Sequence, residues 1–140
     1  MTQAVLFPLG REGFLAGEID ANTAVIKMNL IRGYTYDAAD KFTADLASMD
    51  TASEVTLAGI SITQGVFDAT DTAFVAVPTG AACTALIIYQ ASAVTGGGDV
   101  ARTAQRLIAY IDNATGLPVT PNGDDVNIVF DNGTNKIFKL

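Results

Sequence analysis

The sequence predicts an all-β protein, an antiparallel β-sandwich or jelly roll with one or two short helices, over about 11–19 and 38–48. Three observations carry that expectation. Some seven or eight short apolar runs recur along the chain. Gly, Asn, Pro and Asp clusters separate them, as turns separate strands. Only two stretches carry helical periodicity, and both are short.

The elements follow in chain order. "MTQAVLFPL" holds Val5, Leu6, Phe7 and Leu9 around Pro8, and Pro8 favours an extended path. Residues 1–9 are therefore expected as an extended N-terminal arm and 10–140 as a single domain. The arm either folds back as an edge strand or reaches to a second copy or another protein. "REGFLAGEI" reads as a weak helix, since Gly13 and Gly17 each cost about 1 kcal/mol relative to Ala. "TAVIKMNLI" reads as a strand with Ile26, Met28 and Leu30 on one face. "DAADKFTADLASM" is the strongest helix pattern. Asp37 is its N-cap, Asp37 and Lys41 are four apart, and Ala39, Phe42, Leu46 and Met49 form its apolar stripe.

"EVTLAGISITQGVF" is strand-like, with a change of phase at Gly59 that marks a bulge or a corner. "TAFVAV" stops at Pro78. "CTALIIYQ" and "RLIAYI" are apolar at successive positions, so both of their faces need a cover. "TGGGD" is a flexible loop, and "TPNGDD" a turn. The closing stretch "VFDNGTNKIFKL" fits a hairpin with a bulged turn at Asp131, Asn132 and Gly133. That register puts Val126, Ile128, Phe130, Phe138 and Leu140 on one face, with Val129 and Ile137 on the other.

Composition excludes several functions. The chain has 140 residues, no histidine, no tryptophan and a net charge of −7. Between Phe42 and Ala101 there is no Lys or Arg, while six acids fall there. Such a chain repels nucleic acid and anionic membranes, and neither is expected as a partner. "AACTALIIY" is the longest apolar stretch and is too short to span a bilayer. The N-terminus shows no signal-peptide pattern. Cys83 lies in an apolar run without a histidine to activate it, and reads as a buried thiol.

No catalytic residue, metal ligand or cofactor site is expected. Ser61 and Ser92 lack a base. A carboxylate pair is formally open, but nothing in the spacing selects two acids. "NGDD" and "DATD" lack the layout of a calcium loop, and turn chemistry accounts for both. "GGGD" lacks the Lys and Ser/Thr of a phosphate loop. Asn113 and Asn132 match the glycosylation triplet without an export signal. The residues singled out are instead candidate protein contacts: Val5, Leu6, Phe7 and Leu9 of the arm, Tyr34 and Tyr36 of the turn "RGYTYD", and Leu86 and Ile88 of the doubly apolar strand.

The last third, "RLIAYIDNATGLPVTPNGDDVNIVFDNGTNKIFKL", resembles the closing segment of small virion proteins of tailed phages and prophages, the capsid cement (decoration) proteins. Phe130 stands where an aromatic, often Trp, is common in that family. "GVFDATDTAFVAV" matches the same family's middle segment, and "GEID…AVIKMNLI" matches more loosely. The likeness covers most of the chain and is strongest from Gly65 onward. It implies a jelly-roll fold and a structural, non-enzymatic role on the outer surface of the capsid. The implied partners are the major capsid protein and a second copy of the chain across a two-fold. The competing reading is a tail-associated or glycan-binding β-sandwich module of the virion.

Overall fold

The computed structural model describes residues 4–47, 49 and 53–140. The fold is all-β and sandwich-like, with antiparallel sheets and one α-helix among the described residues. The strands are β1 (Val5–Leu6), β2 (Val25–Arg32), β3 (Val55–Thr56), β4 (Ser61–Thr63), β5 (Val66–Asp68), β6 (Thr72–Phe74), β7 (Cys83–Ser92), β8 (Arg106–Ile111), β9 (Val126–Ile128) and β10 (Phe138–Lys139). One sheet has the order β1-β8-β7-β2-β3. A second has the order β10-β5-β4, and β6 pairs with β9 in a third.

The long strands β2, β7 and β8 are covered on both faces, as their doubly apolar sequences require. On one face Ile26, Met28, Leu30, Leu86 and Ile88 pack in one core with Phe67, Phe74, Ile128 and Phe138 of the smaller sheets. On the other, Ile31, Ile87, Tyr89 and Leu107 pack with Phe7 and Leu46. Between Ile88↔Ala109 and Tyr89↔Leu107 the β7–β8 register slips by one residue. Ile108 is the extra residue, so Ile108 and Ala109 both join the first core.

The helix α1 (Pro8–Leu15) begins three residues earlier than expected and ends four earlier. Pro8 sits in its first turn, where the missing N–H costs nothing. Its glycines are packing requirements rather than weaknesses. A Cβ at Gly10 would lie 2.7 Å from the Leu107 carbonyl oxygen, and one at Gly13 would lie 2.7 Å from Arg106 Nη2. The helix therefore lies directly on β8. Residues 4–9 are not a free arm: Val5 and Leu6 pair with Tyr110 and Ala109, and Phe7 N–H donates to the Ile108 carbonyl. Of the two paths weighed for this segment, the described part takes the edge strand. Residues 1–3 lie outside the described residues.

The helix expected over 38–48 is not formed; a single 3₁₀ turn, Thr43–Asp45, stands there, and Ser48 lies outside the described residues. Short polar side chains capture the backbone that a helix would need. The Asp37 carboxylate accepts from Ala39 N–H, and the Asp45 carboxylate accepts from the N–H groups of Lys41 and Phe42. Neighbouring strand residues take the rest. Thr43 N–H donates to the Gln105 carbonyl, and Leu107 N–H to the Lys41 carbonyl. Two of the expected stripe residues differ in burial, Leu46 being buried and Ala39 exposed.

The expected C-terminal hairpin is also corrected. β9 pairs with β6 and β10 with β5, so the two segments serve different sheets. The Asp131 carboxylate accepts from Gly133 N–H, and Phe130 N–H donates to Asp71, which bends the chain away from a tight hairpin. Val126, Ile128, Phe130 and Phe138 are buried together as expected. Ile137 is buried with them, whereas Leu140 is 51% exposed. The phase change at Gly59 is a corner, with φ +62.

Candidate interaction surface

The eight candidate contact residues divide by burial. Leu6, Phe7, Leu86 and Ile88 are buried in the domain's own two cores, so they present nothing to a partner in this fold. Val5 is 48% exposed, and Leu9, Tyr34 and Tyr36 are half-buried. Sequence periodicity marks Leu86 and Ile88 as needing a cover; the smaller sheets of the same chain provide it.

The tyrosines gather around β8. The Tyr36 ring lies 5.2 Å from Phe7 and 5.5 Å from Tyr110, and Tyr34 lies 5.9 Å from Tyr110. Tilted rings at these distances are favourable pairs. Tyr34 O–H donates to Asp40, and its oxygen accepts from Asp37 N–H. Burial and the Asp40 hydrogen bond push the Tyr34 hydroxyl well above its ordinary pKa. These contacts hold the turn "RGYTYD" against the sheet and leave both rings half-buried.

A polar cluster lies on the same face of the sheet. Lys27 Nζ is 2.7 Å from Glu54 and 2.8 Å from Asp99. Tyr89 O–H donates to the other Glu54 oxygen at 3.0 Å. Burial works against the Lys27 charge, but the two carboxylates more than offset it and its pKa is raised. The cluster ties β2 to the "TGGGD" loop and to Glu54 beside β3. In "DATD" and "NGDD", Asp71 accepts from Phe130 N–H and Asp125 from Ala76 N–H, so each of these two carboxylates ties its loop to a distant segment of the chain. Among the described residues no three metal-ligating side chains converge, and no helix is long and apolar enough to cross a membrane.

One apolar groove was not singled out by the sequence. An open groove of about 330 Å³ runs past Phe14, Ile19, Ile62, Phe67, Phe138 and Leu140. A second hollow of about 240 Å³ shares Phe14 and Leu140 and adds Leu15, which is 90% exposed. The groove is bordered by the hairpin of β4 and β5. Gln64 and Gly65, with φ 53 and 80, form its two-residue turn, the left-handed type that matches strand twist. On the opposite side of the hairpin is a polar groove lined by Ser61, Thr63, Asp68, Thr134 and Lys136. The readable signal was "SITQGVFD": two short alternating runs about a Gln-Gly pair, hidden inside what reads as one long strand.

No protein-family model, no curated protein and no solved structure matches this chain.

Proposed function

We propose that this domain is a non-enzymatic structural protein of a tailed-phage virion. It binds the outside of the capsid shell and cements neighbouring major capsid protein subunits against the pressure of packaged DNA. The observation that carries the reading is the pattern of strands and turns from Gly65 to Leu140, which resembles that of the cement family. An all-β, sandwich-like fold is what that resemblance implies, and it supports the reading. The net charge of −7 suits a protein that stays on the outer surface and avoids the packaged nucleic acid.

A specific interface buries about 800 Å² per partner. Many equivalent contacts on one closed shell act together, so each can be modest. Among the expected contacts, Val5, Leu9, Tyr34 and Tyr36 retain accessible surface for pairing with a second copy across a two-fold or for touching the shell.

Copy number tests the proposal directly. In purified virions the chain is expected near equimolar with the major capsid protein. A handful of copies per particle would refute cementing and point to a tail-associated module instead. Particles stripped of the protein are expected to release DNA at a lower temperature than native ones; equal release temperatures would also refute it.

A further inference from the structure

Among the described residues, the hairpin of β4 and β5 ends its sheet with an open edge at β4. The backbone directions along that edge follow from the turn. In a two-residue hairpin the flanking residues, here Thr63 and Val66, exchange both hydrogen bonds. Pairs then alternate, so Ile62 and Phe67 face each other without bonding. The other side of β5 agrees: the Phe67 carbonyl accepts from Ile137 N–H, toward β10. The N–H and C=O of Ile62 therefore point outward from the sheet.

β4 is also the one described strand whose residues are all exposed. Exposed edges are usually blunted by Lys, Pro or a bulge. Ser61-Ile62-Thr63 has none of these. Its side chains alternate, with Ile62 over the apolar groove and Ser61 and Thr63 over the polar one.

We propose that β4 is the docking edge through which this domain grips the shell: an extended segment of the capsid protein, reading polar–apolar–polar, adds beside Ser61–Thr63 as a fourth strand. The identity of the partner rests on the cementing reading above. The residue opposite Ile62 exchanges hydrogen bonds with its outward N–H and C=O. Its side chain enters the apolar groove beside Phe67 and Leu140. The flanking residues face the polar groove, where among the described residues Asp68 has only Lys136, at 3.9 Å, as a counter-charge, so a basic residue fits there. A second copy is a poorer occupant. It would bring another −7 charge, and its own Ser61–Thr63 offers no basic residue to set beside Asp68. Strand addition recognises the backbone, with pockets for alternate side chains supplying the selectivity.

The experiment uses shells prepared from particles that lack this protein, mixed with the full chain and sedimented. Ile62→Pro removes the outward N–H but leaves the β4–β5 ladder intact, since proline is tolerated where the N–H faces solvent. Ile62→Lys keeps the N–H and removes the apolar anchor. Both variants are expected to bind shells at least about tenfold more weakly, while Val94→Ser, at another exposed apolar position, binds as wild type. In the free protein the Ile62 amide is expected to exchange with deuterium rapidly and the Thr63 amide slowly; on shells the Ile62 amide becomes protected. If Ile62→Pro unfolds, Ile62→Lys and the wild-type exchange pattern decide. Wild-type protein that fails to bind shells overturns the cementing reading, and this inference with it. Wild-type binding with undiminished Ile62 variants, or an Ile62 amide that stays unprotected, overturns the edge alone. A solution dimer that both variants dissociate overturns it as well, by making a second copy the occupant.

Discussion

The sheet built on β2, β7 and β8 and the sheet built on β4, β5 and β10 solve the burial problem differently. β7 runs ten residues with nine of them buried, and it is paired on both sides. β4 runs three residues, all exposed, and is paired on one. Yet both contribute to a single core, in which Phe67 and Phe138 stack at 4.7 Å and pack in one cluster with Met28 and Ile88. Stability therefore resides in the shared interior, and the short sheet leaves its outer edge available for contact. A strand buried on both faces has no such freedom.

The largest effect is expected from removing Ile137–Leu140. Two buried side chains leave the shared core, at roughly 2–5 kcal/mol each, against a total of about 5–15 kcal/mol for a typical domain. The truncated chain should be unfolded by circular dichroism at 25 °C; an unchanged melting curve would show that the small sheet is an accessory and would break the comparison. Next, Leu86→Ala on one face of β7 and Phe7→Ala against the other should each cost about 2–5 kcal/mol in urea unfolding. A neutral Phe7→Ala would mean that the second face of the large sheet is not a core.

On the covered sheet itself, a buried group and an exposed one packed beside it should differ in their response to pH. Burial, with the Glu54 carboxylate beside it, raises the Tyr89 hydroxyl far above its ordinary value. A raised tyrosine favours the protonated folded state. Its contribution is complete below about pH 10, the unfolded value, and is lost as pH rises beyond it. Tyr89→Phe should flatten the alkaline limb of the urea midpoint measured from pH 8 to 11. In the periphery, N–H donation from Phe42 and Lys41 holds the Asp45 carboxyl below its usual range. That contribution is complete above about pH 4 and fades as pH falls through the folded value. Asp45→Asn should make melting less acid-sensitive between pH 5 and 2.5. A wild-type acid limb unchanged in the variant would remove Asp45 from the account.

The smallest effect is expected at Leu140, apolar but 51% exposed. Leu140→Ser should shift stability by no more than about 0.5 kcal/mol, although the alternation of "NKIFKL" places it with Phe138. A loss comparable to that of Phe7→Ala would mean that Leu140 closes the core, and the contrast between covered and open sheets would weaken.

What the sequence determined is the set of apolar runs and the turns between them. Long runs such as "CTALIIYQ" state their own burial, because consecutive β-branched and aromatic residues have no stable place on a wet face. From these came the all-β class, the central strands and the burial of Cys83. Tertiary structure decided pairing. "DNGT" has the chemistry of a tight hairpin turn, but Asp71, 59 residues before Phe130, binds its N–H, and the two strands go to different sheets. "DAADKFTADLASM" has helical spacing, but its backbone finds better partners in Gln105 and Leu107 of the folded chain. Local propensity is worth tenths of a kilocalorie per residue, whereas an unsatisfied buried N–H costs about 1–3 kcal/mol. Where distant strands supply the hydrogen bonds, they override the local pattern. The open edge at Ile62 was illegible for the same reason: which strand is left without a neighbour is fixed only once all the others have paired.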